Sequence, residues 1–187
     1  MKSELKRVID YANSTIGIKE YPPGSNNVIF NTRYYGAPVS GASYPWCCVY
    51  IWDIFAQTGL SHIFCDGAKT ASCQFVKDWA IRSGRFSRTE VDIGDLVLLN
   101  FSKTTANENC VAEHIGIIVD RDPNWNYITI EGNTGGNNAD GGAVMKRTRY
   151  FKNTVGIVRL SDLYGGEDTE NKTEIVTNPS QLSDIFK

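Results

Sequence analysis

The chain has 187 residues, 41% of them hydrophobic, and a formal net charge of −2. That length supports one domain with a real core rather than two, and the near-balanced charge excludes the strongly basic surface of a nucleic-acid binder. The charge is uneven, since positions 165–187 hold five acids against two bases and leave the remainder at about +1, so a folded domain over 1–164 and a polar tail or linker over 165–187 are expected.

The first residues, MKSELKRVIDYANSTIG, lack the unbroken apolar run of a secretory signal, and no later stretch is long enough to span a bilayer. Synthesis in the cytoplasm without a signal peptide, and no membrane insertion, are the corresponding expectations. Five cysteines are an odd number, which favours reduced thiols over a disulfide framework.

In chain order, Leu5, Val8, Ile9, Ala12 and Ile16 recur at helical spacing, with Gly17 placed for a left-handed cap. The following EYPPGSNNVIFNTRYYGAPVSGASYP reads as a long structured surface loop, and Tyr34, Tyr35 and Tyr44 within it favour a functional role. Residues 46–57 are apolar on nearly every side, as in a helix buried mid-domain, and Thr58-Gly59 ends it. A third helix over about 70–83 carries Cys73, Val76, Trp79 and Ala80 on one face and stops at Gly84. Short β-rich runs follow at 95–99, 114–119, 127–131, 143–149 and 155–160. Helices first and about five antiparallel strands afterwards give an α+β domain. The NTGGNNADGG segment between the third and fourth runs reads as a flexible loop. In the tail only Leu182, Ile185 and Phe186 have the character to dock.

The paired cysteines of YPWCCVYIW differ in position. A thiol is nucleophilic as thiolate, and unpaired N–H groups at a helix N-terminus lower its pKa. Cys47, in the first turn, is placed for that and is expected to be exposed. Cys48 is rotated about 100° around the helix and shares a face with Ile51, Trp52 and Phe55, which makes it core. Of the two histidines, His62 sits in a connection and reads as an ordinary surface residue, whereas His114 opens the otherwise apolar HIGIIV run and reads as the base. Glu131 and Asn133, two apart at the end of a strand, share a face and can each orient an imidazole, Glu131 being preferred. The cysteines show no C-x-x-C spacing, which argues against a redox dithiol or a zinc site.

Pro45-Trp46-Cys47 at a helix start, Gly-Asp-Leu-Val at 94–97, Ala-Glu-His-Ile-Gly-Ile at 112–117 and Ile-Glu-Gly-Asn-Thr at 130–134, in that order, resemble the CHAP family of cysteine, histidine-dependent amidohydrolases and peptidases, in particular its phage and prophage endolysins. The resemblance covers roughly residues 3–160. It implies a papain-like fold, N-terminal helices on an antiparallel sheet, and bacterial peptidoglycan as partner and substrate, acted on outside the cytoplasm after release. It further implies Cys47 as nucleophile, His114 as base and then acid, Glu131 and Asn133 as orienters, and no cofactor. Tyr35, Tyr44 and Trp46 are the expected substrate contacts. The Cys47 N–H is the first oxyanion donor, with Tyr44 and Asn31 as candidates for the second. Some members hold calcium through aspartates before the nucleophile, but the VSGASY segment there has no acid, so no metal is expected. Whether an N-acetylmuramoyl-L-alanine amide or a stem or cross-bridge peptide bond is cut stays open. The competing reading is a catalytically inactive wall-binding or structural module of a phage particle.

Overall fold

The amphipathic pattern of the first residues folds as α1, Ser3–Ser14, which buries Val8 and Ala12. The helix stops short of Ile16, which is 42% exposed, and Gly17 takes a φ of +92° while its N–H donates to Val144 O at 3.0 Å. The computed structural model describes residues 1–135 and 138–166. The tail beyond 166, with Leu182, Ile185 and Phe186, lies outside the described residues.

The stretch read as loop contains a helix, α2, Ile29–Tyr35, capped by Gly36 at φ +81°. At seven residues it is too short to hold on propensity alone. It is fixed by burying Phe30, whose ring stacks on Trp46 at 5.5 Å and meets Tyr50 edge-on at 5.0 Å.

The apolar run becomes α3, Cys47–Gln57, with eight of its eleven residues buried. Its one acid, Asp53, is fully buried and accepts from Tyr11 Oη at 2.6 Å and Arg33 Nη1 at 3.0 Å, tying α1 and α2 to this central helix. Two 3₁₀ turns, Ser61–Ile63 and Cys65–Gly67, lead to α4, Cys73–Arg82. Ser72 caps α4 by accepting from Phe75 N at 3.1 Å.

The rest is a fully antiparallel sheet of β1 (Phe86–Ser87), β2 (Leu96–Leu99), β3 (His114–Arg121), β4 (Tyr127–Gly135), β5 (Asn138–Arg149) and β6 (Thr154–Val158). Its spatial order is β1-β6-β2-β3-β4-β5. The α+β class with helices preceding the sheet is as expected. The sixth strand is the two-residue β1, too short to leave a period in the sequence. Much of the expected NTGGNNADGG loop is strand instead, since β4 runs to Gly135 and β5 begins at Asn138. Among the described residues no helix is long and apolar enough to cross a membrane.

Alternation across the strands makes two apolar layers. Leu96, Leu98, Ile115, Ile117 and Ile130 join the helices in the main core. Val97, Leu99, Ile118, Tyr127 and Ile157 form a second cluster, with Phe101 and Val91 against it. α3 packs on β3 and β4, and a Cβ at Gly132 would stand 2.5 Å from Tyr50 Cβ, so the helix rests almost on β4 backbone.

Candidate active site

His114 is the first residue of β3 and pairs across the ladder with Leu99, the last of β2. Its imidazole is 2% exposed. Nε2 lies 2.8 Å from Glu131 Oε2, and a carboxylate partner assigns the proton to that nitrogen and leaves Nδ1 for another contact. Gly116 makes this pairing sterically feasible, because a Cβ there would meet Glu131 Cγ at 2.7 Å.

Glu131 is fully buried and saturated with donors. Arg149 gives Nε to Oε1 at 2.7 Å and Nη2 to Oε2 at 2.5 Å, and Thr129 Oγ1 adds a bond to Oε1 at 2.6 Å. The fork is the bidentate geometry a guanidinium offers a carboxylate. Arg149 also donates to Thr134 Oγ1 at 3.3 Å, and its guanidinium lies over the Phe101 ring at 4.8 Å. Burial opposes the ionised Glu131 carboxyl, but the hydrogen bonds and charges of Arg149 and His114 outweigh it and hold the pKa down at about 2. Burial likewise opposes a charged His114, yet hydrogen bonding to Cys47 and Glu131 together with the Glu131 charge lifts it to about 9.

Cys47 stands in the first turn of α3 as expected, but it is neither exposed nor acidified. It is 8% exposed, and its Sγ lies 3.6 Å from Cys73 Sγ in the first turn of α4. The hydrogen bond to Cys73 and burial push the Cys47 thiol well above its ordinary range, while His114 pulls the other way. A proton shared with a second sulfur stabilises the neutral thiol and overrides the helix N-terminus. No family model matches this chain, and neither does any curated protein or solved structure.

Cys48 is fully buried, with Sγ donating to Thr70 O at 3.5 Å, and His62 is exposed in its 3₁₀ turn, both as read from sequence. All five cysteines are free.

Asn133 departs from expectation. The β4–β5 register shifts between Glu131 and Thr134, and Asn133 takes a φ of +52°, so alternation no longer puts it with Glu131. It lines a cleft of about 290 Å³ together with Glu20, Asn26, Pro45 and Gly142. Trp46 is not a surface contact either: it is fully buried, stacked on Phe30, and donates Nε1 to Glu20 Oε1 at 3.2 Å. Tyr35 is 40% exposed and packs edge-on against Tyr44 at 5.1 Å, so those two remain at the surface. Asn31 cannot serve an oxyanion, since Nδ2 is engaged by Asn26 O at 2.8 Å and Tyr44 O at 2.9 Å in a fully buried side chain.

The site thus brings together Cys47, His114 and Glu131 and adds Arg149, Thr129 and Cys73, which sequence reasoning missed. Arg149 lies in a Lys-Arg-Thr-Arg run where nothing local says which base turns inward. Among the described residues no three His, Cys, Asp or Glu side chains converge as metal ligands.

Proposed function

We propose that the protein is a cysteine amidohydrolase or peptidase of bacterial peptidoglycan, of the papain-like, CHAP-like kind. The observation that carries the reading is a thiol at the start of a buried helix in contact with an imidazole whose far nitrogen is locked to an ionised, arginine-clamped carboxylate. General acid–base chemistry needs that order of groups, and the clamp keeps Glu131 an anion throughout.

In the reaction Cys47 passes its proton to His114, and the thiolate attacks the carbonyl carbon of a wall amide. The tetrahedral oxyanion collapses as His114 donates the proton to the leaving nitrogen, giving an amine and a thioester. Water, deprotonated by His114, then releases the acid and restores the thiol. Glu131 stabilises the imidazolium in both half-reactions, and the Cys47 N–H, free of an intrahelical partner in the first turn, is the natural oxyanion donor.

The inactive wall-binding reading rests on the burial of Cys47 and on its contact with Cys73, which raises the thiol pKa. Incubating purified walls with wild type, Cys47→Ala and His114→Ala, with mass spectrometry of the soluble fragments, separates the two. Hydrolysis expects new amine and carboxyl ends from wild type alone and identifies the bond. Walls that bind wild type but release nothing would establish the binding module.

A further inference from the structure

Glu20 precedes α2, far in sequence from the catalytic residues, yet it forms part of the cleft that Pro45 and Asn133 also line. Pro45 is two residues before the nucleophile and Asn133 two after the orienting carboxylate, so the cleft is lined by the two segments that carry Cys47 and Glu131. Glu20 is 4% exposed. Its Oε2 accepts from Asn26 N at 2.7 Å and its Oε1 from Trp46 Nε1 at 3.2 Å. Both donors are neutral, and among the described residues Glu20 has no ion-pair partner.

A carboxylate has about four acceptor positions, and two of these are filled. A buried anion without a counter-charge is costly, and its cost falls when a cation arrives. Neutral donors already present could satisfy hydrogen bonding alone. Among the described residues that line the cleft, none carries a positive charge.

We propose that Glu20 binds a free primary ammonium of the substrate, placing an amine-bearing wall peptide in this cleft beside the scissile bond. The assignment rests on the wall-hydrolase reading for the identity of the ligand and on the cleft alone for its charge. The ammonium gives hydrogen bonds to the open positions of Glu20, and Asn133, which lines the same cleft, is available to the adjoining peptide group.

The test compares wild type and Glu20→Gln on purified walls before and after acetylation of their free amines. Glutamine keeps the shape and an acceptor for Trp46 but loses the charge. Wild type is expected to lose ~10–100-fold in kcat/KM on acetylated walls, the size of a hydrogen bond to a charged group, with KM moving most. Glu20→Gln is expected to be down by a similar factor on native walls and indifferent to acetylation. Equal wild-type rates on both walls, or a Glu20→Gln variant depressed equally on both, would overturn the proposal, since a purely structural role for Glu20 predicts the latter. If wild type digests neither wall, the hydrolase reading fails, and titration of the Cys47→Ala protein still decides the amine site. Triglycine should move the Trp46 indole N–H resonance at concentrations where N-acetyl-triglycine does not, and equal responses would refute it.

Discussion

Cys73 governs what Cys47 can do at a given pH. With the Cys47 proton held between two sulfurs, the thiol and His114 titrate as a pair, and the active form has lost one proton from that pair. Activity should therefore rise toward alkaline pH. Cys73→Ala removes the acceptor that stabilises the neutral thiol, so the rising limb should move to lower pH, and alkylation of Cys47 by iodoacetamide should quicken at neutral pH. A limb that stays in place would show that burial rather than Cys73 sets the thiol. Among the partners, His114→Ala should lose on the order of 10²–10⁴-fold in turnover. Glu131→Gln should fall chiefly in kcat, because the carboxylate acts through the imidazole. Asn133→Ala should instead change KM, since Asn133 lines the cleft. Steady-state kinetics on the soluble wall fragment identified by mass spectrometry checks all three, and a crippled kcat in Asn133→Ala beside a harmless Glu131→Gln would reverse their roles.

At the level of the strands, Gly116 is the position where β3 gives way to Glu131. Gly116→Ala puts a methyl 2.7 Å from Glu131 Cγ, and a buried, clamped side chain has nowhere to retreat. We expect a stability loss of about 1–3 kcal/mol in urea unfolding and a fall in kcat resembling that of Glu131→Gln. A fully active, equally stable variant would mean that the pairing tolerates displacement. The glycine was visible in HIGIIV, but its reason was not, because the atom it makes room for comes from the next strand. The same limit runs through the site. Cys47 and His114 were legible because each opens a mostly apolar run, and Glu131 because it stands at the end of the β-rich YITIE run. Arg147 and Arg149 share a face of β5, opposite Thr129 and Tyr127, and it is the more distant Arg149 that reaches back to Glu131, while Asn133 is turned aside by a register shift. Neither leaves a local trace. α2 was hidden for a related reason, since its seven residues depend on Phe30 reaching Trp46.

For the molecule as a whole, the buried His114, Glu131 and Arg149 network links pH to folding. Glu131 is held at about 2, below its ordinary 4.5, so its contribution is present above pH 4.5 and is lost as pH falls toward 2. His114 is raised from 6.5 to about 9, so its contribution is complete below 6.5 and is lost as pH rises through 9. The two overlap between about pH 4.5 and 6.5, where stability should be greatest. Arg149→Met leaves Glu131 without its clamp and should cost about 3–5 kcal/mol. The carboxyl pKa then rises, and the acid-unfolding midpoint followed by circular dichroism should move to higher pH. An unchanged midpoint would mean that the network contributes nothing to folding.

The described fold also closes where it opened. Asp95 Oδ1 receives the N–H groups of Leu160 and Ser161 at 2.7 and 2.8 Å, Tyr164 Oη donates to Gly94 O at 2.8 Å, and Gly165 N reaches Glu4 Oε2 at 2.6 Å while Glu4 N donates back to Gly165 O at 3.4 Å. Residues 4 and 165 are therefore neighbours in space, and the order in which the elements are threaded is separable from the shape they make. A short glycine-serine bridge between the two ends, with the chain cut open instead at the β3–β4 turn, where Trp125 is 74% exposed, describes a circular permutant. Such a rearranged chain should keep its circular dichroism and the proposed action on walls, because the hydrogen bonds of the His114, Glu131 and Arg149 network join strands that the cut leaves whole.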